Sequence, residues 1–267
     1  MAHIHPELIR IAARQVRVWR SPFIESRANL FLIHGGFGNA QWHWHTIWET
    51  LADAYNIAAP DLPCFGGTVE LPNASFAELV EWLARVQELL GMSRAAFIGN
   101  SFGAALARLY TSAHPERVTH LILVNGGQIP RVPKFARGIL RSPILSPMFE
   151  LARRTAFTPN GIKRAFANAA SLTPESIAAS QDASHGLIAL MRQLVSSDIP
   201  PLEPSRVPTL VIWGERDKLA NLSRANELAA EIPNSELAII KNAGHMPQLE
   251  DPLSFVKIVR EFCNAPA

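Results

Sequence analysis

The chain has 267 residues, 48% of them hydrophobic, which is enough for one large domain or two small ones with a sizeable core. The net charge of +2 comes without a basic run that could follow a phosphate backbone, which argues against nucleic acid as a partner. Two distant cysteines, Cys64 and Cys263, form neither a disulfide framework nor a metal cluster. No signal peptide and no membrane-spanning run is recognisable, so we expect a cytoplasmic protein without a membrane partner. The oligomeric state is left open.

Short apolar runs bounded by turn residues predict a series of β-strands. In chain order they cover residues 8–11, 15–19, 30–33, 56–59, 95–98, 121–124, 209–213 and 237–240. The first two are close enough to form a hairpin at one edge of a sheet. Helical patterns separate the later strands, and this alternation predicts a mostly parallel sheet with helices on both faces.

Helical spacing of apolar residues predicts the intervening helices. The first follows the third strand and should bury four residues on one face: Trp44, Ile47, Trp48 and Leu51. The second begins after Ser75, a plausible N-cap with Glu78 three residues on. A third runs from residue 101 to about residue 113, and the last helix begins near residue 252.

The alternation stops between residues 128 and 205. Prolines divide this stretch into short predicted helices: Pro130, Pro133, Pro143, Pro147, Pro159 and Pro174. Residues 128–200 carry nine Lys or Arg against four Asp or Glu. Such an excess of basic residues usually lies on a solvated surface. The alternative is that one of the arginines binds a carboxylate of the substrate. We expect residues 128–205 to form a helical insertion over the edge of a core built from residues 1–127 and 206–267.

The stretch "FIGNSFGAAL" places Ser101 where a predicted strand becomes a helix, between Gly99 and Gly103. Ser101 could simply cap the helix in a turn that needs small residues. The alternative is a nucleophile held on a strained turn, where flanking glycines let the backbone turn sharply.

Two further polar residues follow predicted strands, Asp217 in "WGERD" and His245 in "NAGHMP". The carboxyl ends of parallel strands meet at the same edge of a sheet, where ligands bind. A neutral imidazole can take the proton of a serine hydroxyl, and a carboxylate holds the imidazole in the required tautomer. Together, these three residues favour nucleophilic catalysis over a helix cap.

These motifs resemble the α/β-hydrolase superfamily, and the resemblance spans nearly the whole chain. It is carried, in order, by "FLIHGGFG", "IAAPDLPCFGGT", "FIGNSFGAALA", "TLVIWGERD" and "NAGHMPQLEDP". The order Ser, Asp, His is that of the superfamily's catalytic triads. The resemblance implies an α/β fold with an eight-stranded, mostly parallel sheet flanked by helices. It also implies a helical cap inserted after the sixth strand, which matches residues 128–205.

The resemblance also implies roles for individual residues and requires no cofactor or metal. The triad would be Ser101 as nucleophile, Asp217 as acid and His245 as base. The oxyanion donors would be the backbone N–H groups of Phe102 and of Gly36 or Phe37.

Several residues have competing interpretations. Other members of the superfamily place the acid after the sixth strand, where this chain has Asn125, which cannot serve. Asp61 fits a turn residue better than a catalytic one. His43 and His45 could suggest a metal site, but two histidines without a third ligand are more often surface or loop residues. Cys64 stands in "DLPCFG" where the superfamily usually has glycine, so the conformation of that turn is open.

The predicted function is that of a serine hydrolase, which cleaves a carboxylic ester of a small to medium apolar molecule through an acyl-enzyme. The predicted pocket walls are Phe37, Trp42, Phe102, Met148, Phe149, Phe157 and Met191. Alternatives are a C–C bond hydrolase of vinylogous diketones, a thioesterase, a lactonase, an acyltransferase and a receptor-like binding protein. The "GNSFG" motif resembles the C–C hydrolases, although those usually carry tryptophan where this chain has Met246.

Overall fold

The computed structural model describes residues 3–129, 133–195 and 197–264. Pro130, which is among the prolines named above, lies outside the described residues, and the predicted segment 128–205 contains both internal gaps.

The described residues form one eight-stranded sheet, which confirms the predicted number of strands. The strand order is β1-β2-β4-β3-β5-β6-β7-β8; β1 and β2 run antiparallel to their neighbours, and every pairing from β4 to β8 is parallel. The strands are β1 (His5–Ile11), β2 (Arg14–Arg20), β3 (Ala28–Ile33), β4 (Tyr55–Pro60), β5 (Ala95–Asn100), β6 (Val118–Val124), β7 (Thr209–Gly214) and β8 (Glu236–Ile240).

Helices connect these strands and cover both faces of the sheet, as expected for parallel crossovers. The α-helices of the described residues are α1 (Ala40–Trp44), α2 (Trp48–Ala52), α3 (Phe76–Leu89), α4 (Phe102–Ala113), α5 (Lys134–Arg141), α6 (Ser146–Ala156), α7 (Pro159–Lys163), α8 (Pro174–Leu194), α9 (Leu222–Glu231), α10 (Pro247–Glu250) and α11 (Pro252–Asn264). Short 3₁₀ turns cover Pro115–Arg117, Pro143–Leu145 and Ala169–Ser171. Ser75 caps α3 by accepting the N–H of Glu78, as predicted.

Two helix predictions were wrong in detail. The single helix expected after β3 is two short ones, α1 and α2, separated by residues 45–47, although all four predicted residues are buried. The prediction that prolines leave only short helices after residue 128 fails at α8, which is 21 residues long. Pro174 occupies the first turn of α8, where the missing N–H would have no intrahelical partner anyway.

The hydrophobic core has two parts, one on each face of the sheet. Alternate residues of β3 separate into them: Phe31 and Ile33 on one face, Leu30 and Leu32 on the other. This is the period-two pattern of a strand that is buried on both sides. The first face stacks Phe31 on Phe97 with ring centroids 4.8 Å apart.

Helices α5 to α8 lie between β6 and β7 in the chain and contact the loops at the carboxyl ends of the strands. Ser180 Oγ donates to the carbonyl of Phe37, 2.9 Å away. His245 N–H donates to the carbonyl of Ala165 over 2.8 Å. These contacts position α5–α8 above the central strands. None of the helices in the described ranges is long and apolar enough to cross a membrane.

Candidate active site

The turn between β5 and α4 holds Ser101 in a strained backbone conformation, with φ at 55° and ψ at −113°. Positive φ is uncommon for a residue with a Cβ and concentrates at functional sites. The Ser101 side chain forms no capping hydrogen bond to α4, which contradicts the interpretation as a simple helix cap. Ser101 instead lines a cavity.

The flanking glycines permit this turn because neighbouring backbone atoms lie where a Cβ would be. A Cβ on Gly99 would lie 2.3 Å from the carbonyl oxygen of Gly103. A Cβ on Gly103 would lie 2.2 Å from the carbonyl oxygen of Ile33, on the neighbouring strand β3. Real Cβ atoms do not approach so closely, so any side chain at either position would displace the turn that carries Ser101.

His245 and Asp217 follow β8 and β7 and meet directly. His245 Nδ1 lies 2.7 Å from Asp217 Oδ2, and both side chains are almost completely buried. The other carboxylate oxygen, Oδ1, accepts the backbone N–H groups of Leu219 at 2.7 Å and Ala220 at 3.0 Å. With both oxygens engaged, the carboxylate has a fixed orientation toward the imidazole.

Asp217 stays ionised despite its burial. Burial alone raises the pKa of a carboxyl group, but the hydrogen bond and charge of His245 and the N–H groups of Ala220 and Asn125 outweigh it, so the pKa of Asp217 is lowered. An ionised carboxylate only accepts hydrogen bonds, so the proton between the two residues belongs to His245 Nδ1. When His245 is neutral, its Nε2 is therefore the free base, and His245 lines the same cavity as Ser101.

The loop after β3 lies against the Ser101 turn. A Cβ on Gly35 would be 3.1 Å from Ser101 Cβ, and the next two residues are the predicted oxyanion donors Gly36 and Phe37. His34 anchors this loop: its Nε2 accepts the N–H of Leu62 at 2.8 Å, so its Nδ1–H donates to the carbonyl of Gly35 at 2.7 Å. Burial lowers the pKa of His34, which keeps it neutral in this role.

The third predicted donor, Phe102, is the first residue of α4, where backbone N–H groups have no intrahelical acceptor and the helix dipole favours an anion. Its side chain lines the cavity together with that of Phe37. The predicted site residues Ser101, His245, Phe37 and Phe102 therefore meet at one cavity, with Asp217 behind His245.

The cavity has a volume of about 500 Å³ and lies between the carboxyl ends of the strands and the helices α5, α6 and α8. Most of its wall is apolar. The apolar side chains are Phe37, Phe76, Phe102, Ala105, Ile129, Phe149, Met191, Leu194, Val195, Ile199, Trp213, Leu219 and Ala220. Two cationic side chains, Arg137 and Arg224, also line it.

Four of the seven predicted wall residues line this cavity, and three do not. Trp42 and Phe157 pack in a separate buried cluster around Ile162 and Met246, beside the cavity rather than in its wall. Met148 is exposed on α6, where the following residue, Phe149, turns inward. Helical spacing identified the apolar residues of this segment but could not orient each helix.

Three other predictions can be compared with the structure. His43 was expected in a surface or loop position, but it is completely buried with its ring centroid 5.6 Å from that of His34. Burial lowers the pKa of His43 well below its usual value. Asp61 is a buried turn residue that pairs with Arg17 at 2.5 Å. Cys64 adopts a φ of 74°, so the turn keeps a conformation that glycine adopts more readily.

Sequence reasoning missed the role of two residues that hold the site. Asn125 Nδ2 donates to Asp217 Oδ2 over 2.6 Å, while its Oδ1 accepts the N–H of Gly214. Glu250 accepts the N–H of Gly244, next to His245, at 2.7 Å and those of Ala167 and Asn168 at 2.8 and 2.9 Å. Both act over long sequence distances. The available signals were the position of Asn125 directly after a predicted strand and the place of Glu250 in the motif "NAGHMPQLEDP".

Comparison with known proteins agrees with this architecture. Residues 29–252 match the family described as alpha/beta hydrolase fold. The chain belongs to this family, whose members among its relatives include proteins named as hydrolases and a lipase.

Individual relatives differ in their named activities. The chain is 29% identical over 259 residues to 2-hydroxy-6-oxo-2,4-heptadienoate hydrolase of Pseudomonas putida, covering 88% of each protein. It is 26% identical over 241 residues to Lipase 1 of Psychrobacter immobilis, covering 83% of this chain and 72% of the relative. The structure of 2-hydroxy-6-oxo-6-phenylhexa-2,4-dienoate hydrolase from Rhodococcus superposes with a TM-score of 0.77 at 20% identity, over 99% of this chain and 100% of the other. This last likeness shows the shared fold.

Proposed function

We propose that the protein is a serine hydrolase that cleaves carboxylic esters with an apolar acyl or alcohol part. One observation carries the proposal: Ser101 and His245 line a single, largely apolar cavity, and Asp217 binds the far side of the imidazole. This combination supplies a nucleophile, its base and an apolar binding space in one place.

In the first half of the reaction, Ser101 Oγ attacks the ester carbonyl carbon while its proton passes to His245 Nε2. The carbonyl π electrons move to the oxygen, which becomes an oxyanion near the N–H groups of Phe102 and of Gly36 or Phe37. Asp217 stabilises the imidazolium without taking its proton. Collapse of the intermediate expels the alcohol, which receives the proton from His245, and leaves an acyl group on Ser101.

In the second half, a water molecule takes the place of the alcohol and His245 Nε2 removes its proton as it attacks the acyl carbon. Collapse then breaks the bond to Ser101 Oγ, which recovers the proton, and the carboxylic acid leaves. Apart from the ester and the water, every reacting group in this scheme belongs to the chain, and the scheme requires no metal or cofactor. Apolar walls favour it, since a low dielectric strengthens the interactions with the oxyanion.

A fluorophosphonate probe and a panel of p-nitrophenyl esters test this proposal. We expect the probe to label Ser101 and the esters to be turned over continuously after an initial burst. Ser101→Ala should abolish labelling and lower turnover by about a million-fold. Ser197→Ala is the matched control, because Ser197 lines the same cavity and should leave labelling intact. Labelling that survives Ser101→Ala contradicts the proposal, and a burst without turnover indicates a binding protein.

A second candidate is hydrolysis of a C–C bond in a vinylogous diketone. Two observations favour it: the relative named as a heptadienoate hydrolase, and the two arginines in the cavity, which suit a substrate carboxylate. Arg137 is paired with Asp198 at 2.6 Å, so a carboxylate would compete with that contact. Loss of the coloured dienoate substrate, measured beside the ester panel, distinguishes the two. A kcat/KM that is higher for the dienoate than for every ester would assign the C–C activity instead.

A further inference from the structure

The outer surface of α5, α6 and the 3₁₀ turn between them is unusually apolar. Five large apolar side chains are exposed within residues 135–151: Phe135, Ile139, Ile144, Met148 and Leu151. We call these five residues the outer patch. Phe135 and Ile144 are 82% and 84% exposed, and Phe135 and Ile139 are spaced four residues apart on one face of α5. An exposed apolar cluster of this density marks an interaction surface rather than ordinary solvent-facing residues.

The same segment is strongly basic. Residues 133–156 contain five Lys or Arg and one acid, Glu150, and the sequence of α5 has three basic residues and no acidic one. Glu150 is already shared by Arg153 and Arg154, at 2.6 and 2.7 Å, which lower its pKa to about 2. Residues 128–200 hold nine of the chain's 25 basic residues and four of its 23 acidic ones, so the rest of the chain is net acidic. The stretch of sequence that carries the outer patch therefore has an excess of positive charge.

The outer patch also lies beside the cavity. Arg137, between Phe135 and Ile139 in α5, lines the cavity, and so does Phe149, next to Met148 in α6. One layer of helices therefore separates the exposed apolar surface from the space in front of Ser101. Any partner held by the outer patch would sit next to the route of an apolar substrate.

From these observations we propose that the outer patch docks the protein on the surface of an anionic lipid bilayer. An apolar surface on a basic stretch of chain inserts into the interface while the positive charge of that stretch attracts acidic headgroups. Charge favours this occupant over a second copy of the chain, because a two-fold interface would bring together two copies of the basic stretch 133–156. The proposal departs from the expectation of no membrane partner, which rested on missing spans and a missing signal peptide. Neither bears on helices that lie flat in the interface.

Co-sedimentation of the full chain with vesicles tests the proposal without relying on catalysis. We expect binding to phosphatidylcholine vesicles that contain phosphatidylglycerol, much weaker binding to phosphatidylcholine alone, and release by high salt. The triple variant Phe135→Ser, Ile139→Ser, Ile144→Ser should reduce the partition coefficient by at least about tenfold. Its matched control is Leu8→Ser, Leu89→Ser, Leu253→Ser, which removes three exposed apolar residues elsewhere and should bind like the wild type. Both variants should keep wild-type activity on a water-soluble ester.

Three results would overturn the proposal. The first is the absence of binding that depends on phosphatidylglycerol and salt. The second is equal loss of binding in both triple variants, which would make the effect general rather than specific to the outer patch. The third is a dimer in sedimentation equilibrium that the Phe135, Ile139, Ile144 variant converts to monomer, which would assign the patch to self-association.

Discussion

Asn125 donates its amide N–H to Asp217 over a distance of 2.6 Å, and it does so to Oδ2, the same carboxylate oxygen that binds His245 Nδ1. The two residues follow adjacent parallel strands, β6 and β7, so their side chains reach the same point. These are the two positions at which the sequence comparison with the superfamily allowed an acid. In this chain the carboxylate follows β7, and the amide that follows β6 donates a hydrogen bond to it.

Exchanging the two residues tests this relationship. Asp217→Asn should lower kcat/KM by roughly ten-thousand-fold, because an amide presents the wrong partner to His245 Nδ1. Adding Asn125→Asp to that variant restores a carboxylate next to the imidazole and should recover part of the loss. Ester hydrolysis by the two variants is the measurement. Full activity of Asp217→Asn, or a comparable loss in Asp61→Asn, would mean that the acid is misassigned.

Glu250 should position His245 rather than take part in the reaction. Glu250→Gln replaces one of its two acceptor oxygens by a donor, which then faces a backbone N–H group. We expect the free energy of unfolding to fall by about 2 kcal/mol, as for loss of a hydrogen bond to a charged group. The kcat should fall more than KM rises, because the imidazole is displaced while the cavity keeps its walls.

Glu261→Gln is the matched control for Glu250→Gln, because Glu261 is an exposed glutamate near the same end of the chain. Denaturation curves and steady-state kinetics of both variants are the measurements. If Glu250→Gln behaves like Glu261→Gln in kcat, the contact with Gly244 does not position His245.

The lowered pKa of Asp217 makes stability depend on pH. Because its pKa is lower in the folded than in the unfolded chain, Asp217 stabilises the fold above its unfolded pKa, and this contribution disappears as pH falls through the lower folded value. The free energy of unfolding should therefore differ most between wild type and Asp217→Asn at neutral pH. The difference should shrink below about pH 4.

Urea denaturation at several pH values measures this effect. Asp53→Asn serves as control, since Asp53 is an exposed carboxylate outside the site. A difference between wild type and Asp217→Asn that stays constant into the acid range would contradict a lowered pKa of Asp217.

The cavity wall should set the preferred ester length. Met191→Trp adds bulk to the wall and should lower kcat/KM for long acyl chains more than for short ones, since each buried methylene contributes about 0.8 kcal/mol. Met148→Trp is the control, because Met148 lies in the same inserted segment but faces outward. The measurement is kcat/KM of both variants on a panel of p-nitrophenyl esters. If Met191→Trp keeps the wild-type preference for acyl-chain length, Phe37 and Phe102 rather than Met191 would set that preference.

Much of the fold follows from local patterns in the chain. The strand predicted at 95–98 and the helix after residue 101 correspond to β5 and α4, because the apolar period depends on near neighbours in the chain. The glycines around Ser101 were also recognisable from the chain alone, since a sharp strand-to-helix turn needs residues without a Cβ. The break between α1 and α2 was not recognisable from the sequence, because the apolar spacing of Trp44 and Trp48 continues across it.

The sequence by itself determined the order of strands along the chain, the strained turn at Ser101 and the three polar residues at strand ends, since each depends on chemistry within a few positions. Only the tertiary structure decided that Asn125 supports Asp217, 92 positions away, and that Glu250 joins the His245 loop to Ala167. It also decided that Trp42 packs outside the cavity wall while Met191 lines it. Such contacts depend on how whole helices and strands are oriented when they pack, and the period of a single segment does not contain that information.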